Sequence, residues 1–185
     1  MVPLTALWLP IILSAVVVFI ASSILHTVLT YHQKECKQIP NEDKVLASLR
    51  EAGLQRGYYH FPYCTHKEMK SPAIAEKFKQ GPVGFLTVFP TGLPAMPKFL
   101  GQWFAYCLVI SFSAAYLTGR TLGPETPYLA VFRVCGTSAF LAYGLGQLSN
   151  GIWKGQPWSM TIKEVIDGLI YGCLTGGVFG WLWPR

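Results

Sequence analysis

Charge is scarce in this chain. Asp, Glu, Lys and Arg make up 13% of its 185 residues, against roughly 25% in soluble proteins. Hydrophobic residues make up 51%, and the mean hydropathy is +0.35. A soluble fold this apolar lacks the polar surface to cover its core, which excludes an ordinary water-soluble domain. No Lys or Arg precedes the first apolar block, Leu4 to Leu29, and within it only His26 approaches a charge. That block is too long for a signal-peptide core of about 7–15 residues, so it is expected to stay as a span. The five cysteines include no Cys-x-x-Cys pair, which excludes a paired zinc knuckle. There is no low-complexity segment and no internal repeat. No nucleotide-binding loop or transport signature is present, and no nucleophile, base and orienting group can be assembled into a catalytic set. An enzyme with its site in the loop, using Cys64 and His66, is therefore the weakest functional class.

Four apolar blocks are what is there. They run Leu4 to Leu29, Phe99 to Leu117, Tyr128 to Leu148 and Val165 to Trp183. Each is long enough for a hydrocarbon core of about 30 Å. The expected fold is an all-α membrane protein, a bundle of four transmembrane helices with a cytoplasmic loop region between the first two. Helix one falls within residues 1–30 and the loop region within 31–98. The remaining helices fall at 99–118, 127–149 and 162–183.

The net charge is +6. A nucleic-acid partner is excluded, because the basic residues form no readable binding motif. Topology explains them instead. The loop 31–98 holds ten of the fifteen Lys and Arg residues, and Lys154 and Lys163 fall on the same side. The opposite side holds Arg120 and Arg185. Cytoplasmic loops collect Lys and Arg, so both termini are expected outside and the loop in the cytoplasm.

Within that loop, Asn41 is placed to cap a short helix reaching Arg50, with Glu42 and Asp43 in its first turn and Gly53 just past its end. The aromatic run Gly57 to Cys64 carries few regular signals. A second short helix is expected from Pro72 to Lys79. Val83 to Pro97 is apolar but broken by Pro90, Pro94 and Pro97, so it cannot span as a helix. It reads as an extended stretch at Phe85 to Phe89 and a proline-rich lead-in to the membrane. Trp153 and Trp158 flank Lys154, an interfacial anchoring pattern.

Three side-chain constellations bear on function. Cys36, His60, Cys64 and His66, with His32 as an alternative fourth ligand, are of the thiolate and imidazole types that hold zinc. No cofactor is expected, and zinc is the one for which the sequence offers a candidate site. The competing reading is ordinary cysteines and interfacial histidines, and in a reversed orientation Cys36 and Cys64 would be free to form a disulfide. The second constellation is a polar layer, His26, Gln102, Gln147 and Asp167, near the inner ends of the four helices. A carboxylate inside a bilayer is a functional candidate by default. His26 with Asp167 would make a proton-accepting pair. The competing reading is structural, with Asp167 paired to Lys163 one turn earlier. The third is Arg133, which lies in the opposite half of the membrane from Asp167 and is expected to snorkel toward Glu125 or lipid phosphate. Cys107, Cys135 and Cys173 read as packing residues.

Gly168, Gly172, Gly176 and Gly180 stand at strict four-residue spacing in the last block. Such a stripe lets another backbone lie close in a bilayer. It serves either helix three of the same chain, with Gly136, Ala139, Tyr143, Gly144 and Gly146, or another subunit.

Three stretches together carry a family likeness: Gly81 to Thr87, Tyr128 to Arg133, and Asp167 to Tyr171 with the Trp181-Leu182-Trp183-Pro184 ending. On these the chain resembles small bacterial multi-pass membrane proteins of no assigned activity. The resemblance implies a bacterial inner membrane and transfers no functional residues. The sequence thus points first to a non-enzymatic accessory or scaffold subunit, acting through helix packing and the basic loop. Its partners would be the bilayer and a membrane protein or further copies of itself. The alternative is a small transporter or proton-coupled carrier using the His26 and Asp167 layer.

Overall fold

A computed structural model describes residues 1–33 and 35–185. In chain order its elements are α1 (Trp8–Thr27), α2 (Glu42–Glu51), β1 (Gly57–Phe61), α3 (Pro72–Gln80), β2 (Gly84–Val88), α4 (Met96–Thr121), α5 (Tyr128–Tyr143), α6 (Leu148–Trp153) and α7 (Trp158–Trp181). They fall into two compact units. One is Met1–Glu35 with Ala95–Arg185, and the other is Cys36–Pro94.

The first unit is built from α1, α4, α5, α6 and α7. Three stretches of it are long and apolar enough to cross a membrane: Leu4–Thr27, Met96–Thr121 and Tyr128–Trp153. The last runs from α5 through a tight turn at Leu145–Gln147 into α6. The fourth long helix, α7, has 24 residues, but Lys163, Glu164 and Asp167 charge its N-terminal part. Two boundaries differ from the sequence reading because prolines sit at helix starts rather than ending helices. Pro97 lies in the first turn of α4, and Pro157 immediately precedes α7. The first turn has no intrahelical use for the missing N–H. The segment from Asn150 to Thr161, expected as a connection, is therefore mostly helical.

The interior of this unit mixes apolar side chains such as Leu7, Val18, Val131 and Phe179 with buried hydroxyls, and its exterior carries many large apolar residues. Ser14, Ser111, Thr118, Thr161 and Thr175 are fully buried. Ser14 donates across from α1 to Ser111 on α4 at 3.0 Å. Thr118 and Thr175 return their protons to backbone carbonyls one turn back. Trp8, Ile20, Val109, Phe112, Leu129, Leu141, Ile162 and Trp181 are each more than half exposed. The N-terminus meets the last turn of α4, and the C-terminus meets the α4–α5 connection. Val2 N–H donates to the Gly119 carbonyl at 2.8 Å, and Glu125 N–H donates to that of Pro184 at 3.0 Å. The Trp183 indole donates to Gly123 at 2.9 Å.

α7 lies against α5 along the glycine stripe. A Cβ added at Gly168 would run into the Gly144 backbone. At Gly172 it would stand 2.8 Å from the Gly136 carbonyl oxygen, and at Gly176 it would stand 2.8 Å from that of Phe132. Gly180 differs, because its nearest neighbour would be the Tyr128 ring at 2.7 Å. A ring can turn aside, whereas a backbone carbonyl moves only with its helix. The stripe is thus occupied within the chain.

The second unit is slight. β1 and β2 pair antiparallel, with Gly57 opposite Val88 and Phe61 opposite Gly84. The aromatic run that looked irregular is β1. Its Tyr, His and Phe residues suit a pleated surface once a partner strand is present. α2 forms where expected, but Asn41 makes no side-chain cap and sits at φ 52°. The acidic first turn and Gly53, at φ +66° with its N–H on the Arg50 carbonyl, bound the helix instead. No residue of this unit is buried. A two-stranded sheet with two short helices and no core has little stability of its own.

Substitution at the stripe should follow the neighbours. Gly172→Ala is expected to cost about 1–3 kcal/mol and to lower the thermal midpoint in detergent clearly more than Gly180→Ala. Equal midpoints for the two variants would contradict this account of the contact.

Candidate functional site

The polar groups of the first unit converge where α1 ends and α7 begins. α1 closes at Thr27, and the chain makes a single tight turn at Thr30–His32. This turn brings Tyr31, His32 and Glu35 over the first turns of α7, where Lys163 and Asp167 lie one turn apart. The site exists because a short connector folds back on the helix that the glycine stripe holds in place.

Asp167 is at the centre and is 3% exposed. Its Oδ1 accepts the Tyr31 hydroxyl. Its Oδ2 accepts His32 Nε2 at 2.8 Å, and His26 Nε2 stands 3.9 Å from the same oxygen. The other face of His32 is also held, with Nδ1 donating to Glu35 Oε2 at 2.9 Å. Glu35 Oε1 pairs with the Lys163 ammonium at 3.1 Å. That ammonium also donates to the Tyr31 carbonyl and lies 5.4 Å from the centre of the Tyr31 ring. His26 Nδ1 donates to the Ser22 carbonyl at 3.0 Å. The His26 and His32 rings stack 4.5 Å apart. Beside them an aromatic wall begins. The Trp103 indole donates to Ser22 Oγ at 2.8 Å, and Tyr143 and Tyr171 pack edge to face at 5.4 Å. Both of these hydroxyls are buried, and neither has a hydrogen-bond partner among the described residues.

Burial works to raise the Glu35 carboxyl. The hydrogen bonds and positive charges of His32 and Lys163 outweigh it and hold the group below its ordinary value of 4.5.

The chain matches no family model, no curated protein and no solved structure. The geometry of the site is therefore the guide to its chemistry.

The structure brings some of the expected residues together and keeps others apart. His26 and Asp167 are adjacent. Gln102 is exposed on α4. Gln147 is engaged locally, accepting from Asn150 at 2.9 Å. Neither bonds Asp167 among the described residues, so the four-residue layer is corrected to His26, His32 and Asp167 supported by Tyr31, Glu35 and Lys163. The expected pairing of Lys163 with Asp167 is likewise replaced by its pairing with Glu35. Arg133 forms no ion pair among the described residues. It borders a shallow groove of about 150 Å³ with Phe132, Gly136, Phe140, Leu169 and Cys173. Of the loop set expected to bind zinc, Cys36, His60, Cys64 and His66, no three gather among the described residues. The one group of three that places a ligand atom from each residue within 4.8 Å of the others is His26, His32 and Asp167. His60 instead packs 4.8 Å from the Phe85 ring, because its strand faces β2. Sequence reasoning passed over Tyr31 and Glu35. The one local signal was the three-residue spacing of His32 and Glu35.

Glu35→Gln leaves His32 Nδ1 and the Lys163 ammonium without their anion at a carboxyl only 10% exposed. The expected cost is about 1–3 kcal/mol, seen as faster hydrogen exchange in residues 30–36. With a lowered folded pKa, the wild-type contribution is complete above pH 4.5 and fades as pH falls through the lower folded value. Glu35→Gln should flatten the acid side of a stability-against-pH curve, and an unchanged slope would contradict the assignment.

Proposed function

We propose that this is a four-span protein of the bacterial inner membrane, with both termini outside, serving as a non-enzymatic accessory or scaffold subunit whose contact surface is the loop unit Cys36–Pro94. The observation that carries the reading is that unit's lack of any buried residue together with its exposed apolar side chains. Tyr63 is 76% exposed, Phe89 68% and Leu93 97%. A segment that buries nothing on its own gains its order from what it binds. Its charge excess suits an acidic protein surface or anionic headgroups.

Membrane placement is supported by the many large apolar side chains on the exterior of the first unit. Small residues where its helices meet, with large apolar residues facing out, suit a lipid surround. α7 carries Ile162, Ile166, Leu169 and Trp181 on its exposed side, which supports it as the fourth span. An even number of spans accords with the two termini meeting one hairpin. The basic loop supports the orientation through the positive-inside tendency.

The glycine stripe is spent on α5, which shifts the scaffold reading from the helix face to the loop. A carrier remains the second reading, favoured by the burial of Asp167 beside His26.

Gentle extraction of the tagged protein from its native membrane, followed by mass spectrometry, tests the proposal. A stoichiometric protein partner that is lost on Tyr63→Ser with Phe89→Ser is expected. A clean monomer whose Asp167→Asn variant loses a proton or solute flux in vesicles would replace the scaffold with the carrier. A reporter fused at Arg185 should be active outside, and a cytoplasmic signal there would overturn the orientation.

A further inference from the structure

We propose that His26, His32 and Asp167 bind one divalent transition-metal ion of the zinc type, which fastens the turn after α1 to α7. The three donors are two imidazole nitrogens and one carboxylate oxygen, a set that suits zinc and its first-row neighbours. It does not suit calcium or magnesium, which take oxygen shells. The donors also come from separate places in the sequence, the last turn of α1, the turn behind it and α7, so one ion would tie three segments.

Orientation of the donors is the stronger argument. In metal sites the ligating histidine gives its other ring nitrogen to a carbonyl or carboxylate, which fixes the tautomer and aims the free nitrogen. Both histidines here have that support. His26 Nδ1 is held by the Ser22 carbonyl at 3.0 Å, and His32 Nδ1 by Glu35 at 2.9 Å. Each thus turns Nε2 toward Asp167 Oδ2, at 3.9 Å and 2.8 Å respectively. Asp167 has the matching arrangement, because Tyr31 occupies Oδ1 and leaves Oδ2 on the histidine side. A tetrahedral shell with metal–ligand bonds of about 2.0–2.2 Å places its donor atoms roughly 3.3–3.5 Å apart. The two separations to Asp167 bracket that span, and all three donor atoms lie within 4.8 Å of one another, so the two imidazole nitrogens close by at most about 1.5 Å to satisfy it. The proton that His32 Nε2 now shares with Asp167 leaves to solvent on coordination.

Two features set how the ion sits. The histidine rings are nearly parallel, at 8°, so their in-plane lone pairs do not yet converge and one ring must tilt. His26 is the one with room, since its side chain is 52% exposed against 10% for His32. The same exposure leaves a fourth position for water. Lys163 is the nearest cation and is turned to the outer oxygen of Glu35. Once the His32 proton has left, Asp167 and Glu35 together give the site one more negative charge than Lys163 cancels.

The test uses the full chain in detergent, on an affinity tag without histidines, stripped with chelator and titrated with Co²⁺ and then Zn²⁺. One equivalent of Co²⁺ is expected, with visible bands of a nitrogen and oxygen shell and no thiolate charge-transfer band, displaced by Zn²⁺. His32→Ala and Asp167→Asn should each abolish the bands. Glu35→Gln should weaken binding about tenfold to a hundredfold, as loss of an outer partner does. The combined Cys36→Ser, His60→Ala, Cys64→Ser and His66→Ala variant should bind as wild type does. Should a site variant fail to fold, the wild-type titration and that loop variant decide alone. Absence of a stoichiometric Co²⁺ spectrum in folded wild type overturns the proposal, and so does a thiolate band that vanishes with the loop cysteines.

Discussion

The backbone contact between α5 and α7 is the constraint on which the rest of the first unit depends. Without Cβ atoms at Gly168, Gly172 and Gly176, α7 approaches the carbonyls of α5 to a distance that no other residue permits. In lipid there is no hydrophobic drive between helices, and close packing of small residues replaces it. The stripe fixes the height and rotation of α7. Asp167, one residue before Gly168, is thereby turned inward beneath the end of α1. A rotation of the helix would have turned that carboxylate away from the end of α1.

A buried carboxylate must be satisfied, and the chain satisfies this one with residues close in space and distant in sequence. Tyr31 and His32 reach it because the turn at Thr30–His32 reverses the chain directly after α1. Glu35 and Lys163 then balance the second face of His32. The result is a chain of alternating donors and acceptors, Lys163 to Glu35 to His32 to Asp167, that ties the exit of one helix to the entrance of another. This alternation aims the His32 nitrogen at Asp167 Oδ2, and the Ser22 carbonyl aims that of His26 at the same oxygen, which is why a structural clasp here is also a candidate ligand set.

The two units contrast in what holds them. The first has interlocked helices, buried hydroxyls that bond their own backbone or each other, and a capped polar end. The second has a short sheet and two amphipathic helices with no buried residue. Its aromatic and basic side chains face outward, and its order is of the kind that a partner surface supplies.

The sequence alone determined the apolar blocks, the two short loop helices and the glycine stripe, because periodicity, charge in the first turn and residue size act locally. It also marked Asp167 and His26 as polar groups in costly places. It left both α5 and another subunit open as partners of the stripe, and it grouped Cys36, His60, Cys64 and His66, no three of which gather among the described residues. Nearness along the chain suggested those ligands, whereas ligation needs donors that converge in space. Tyr31 and Glu35 were silent in sequence because an ordinary turn residue acquires a role only when a distant helix is placed beside it. Tertiary structure made that decision. The depth at which α7 packs on α5 chose which side chains would surround Asp167, and no local property of the chain encodes that depth.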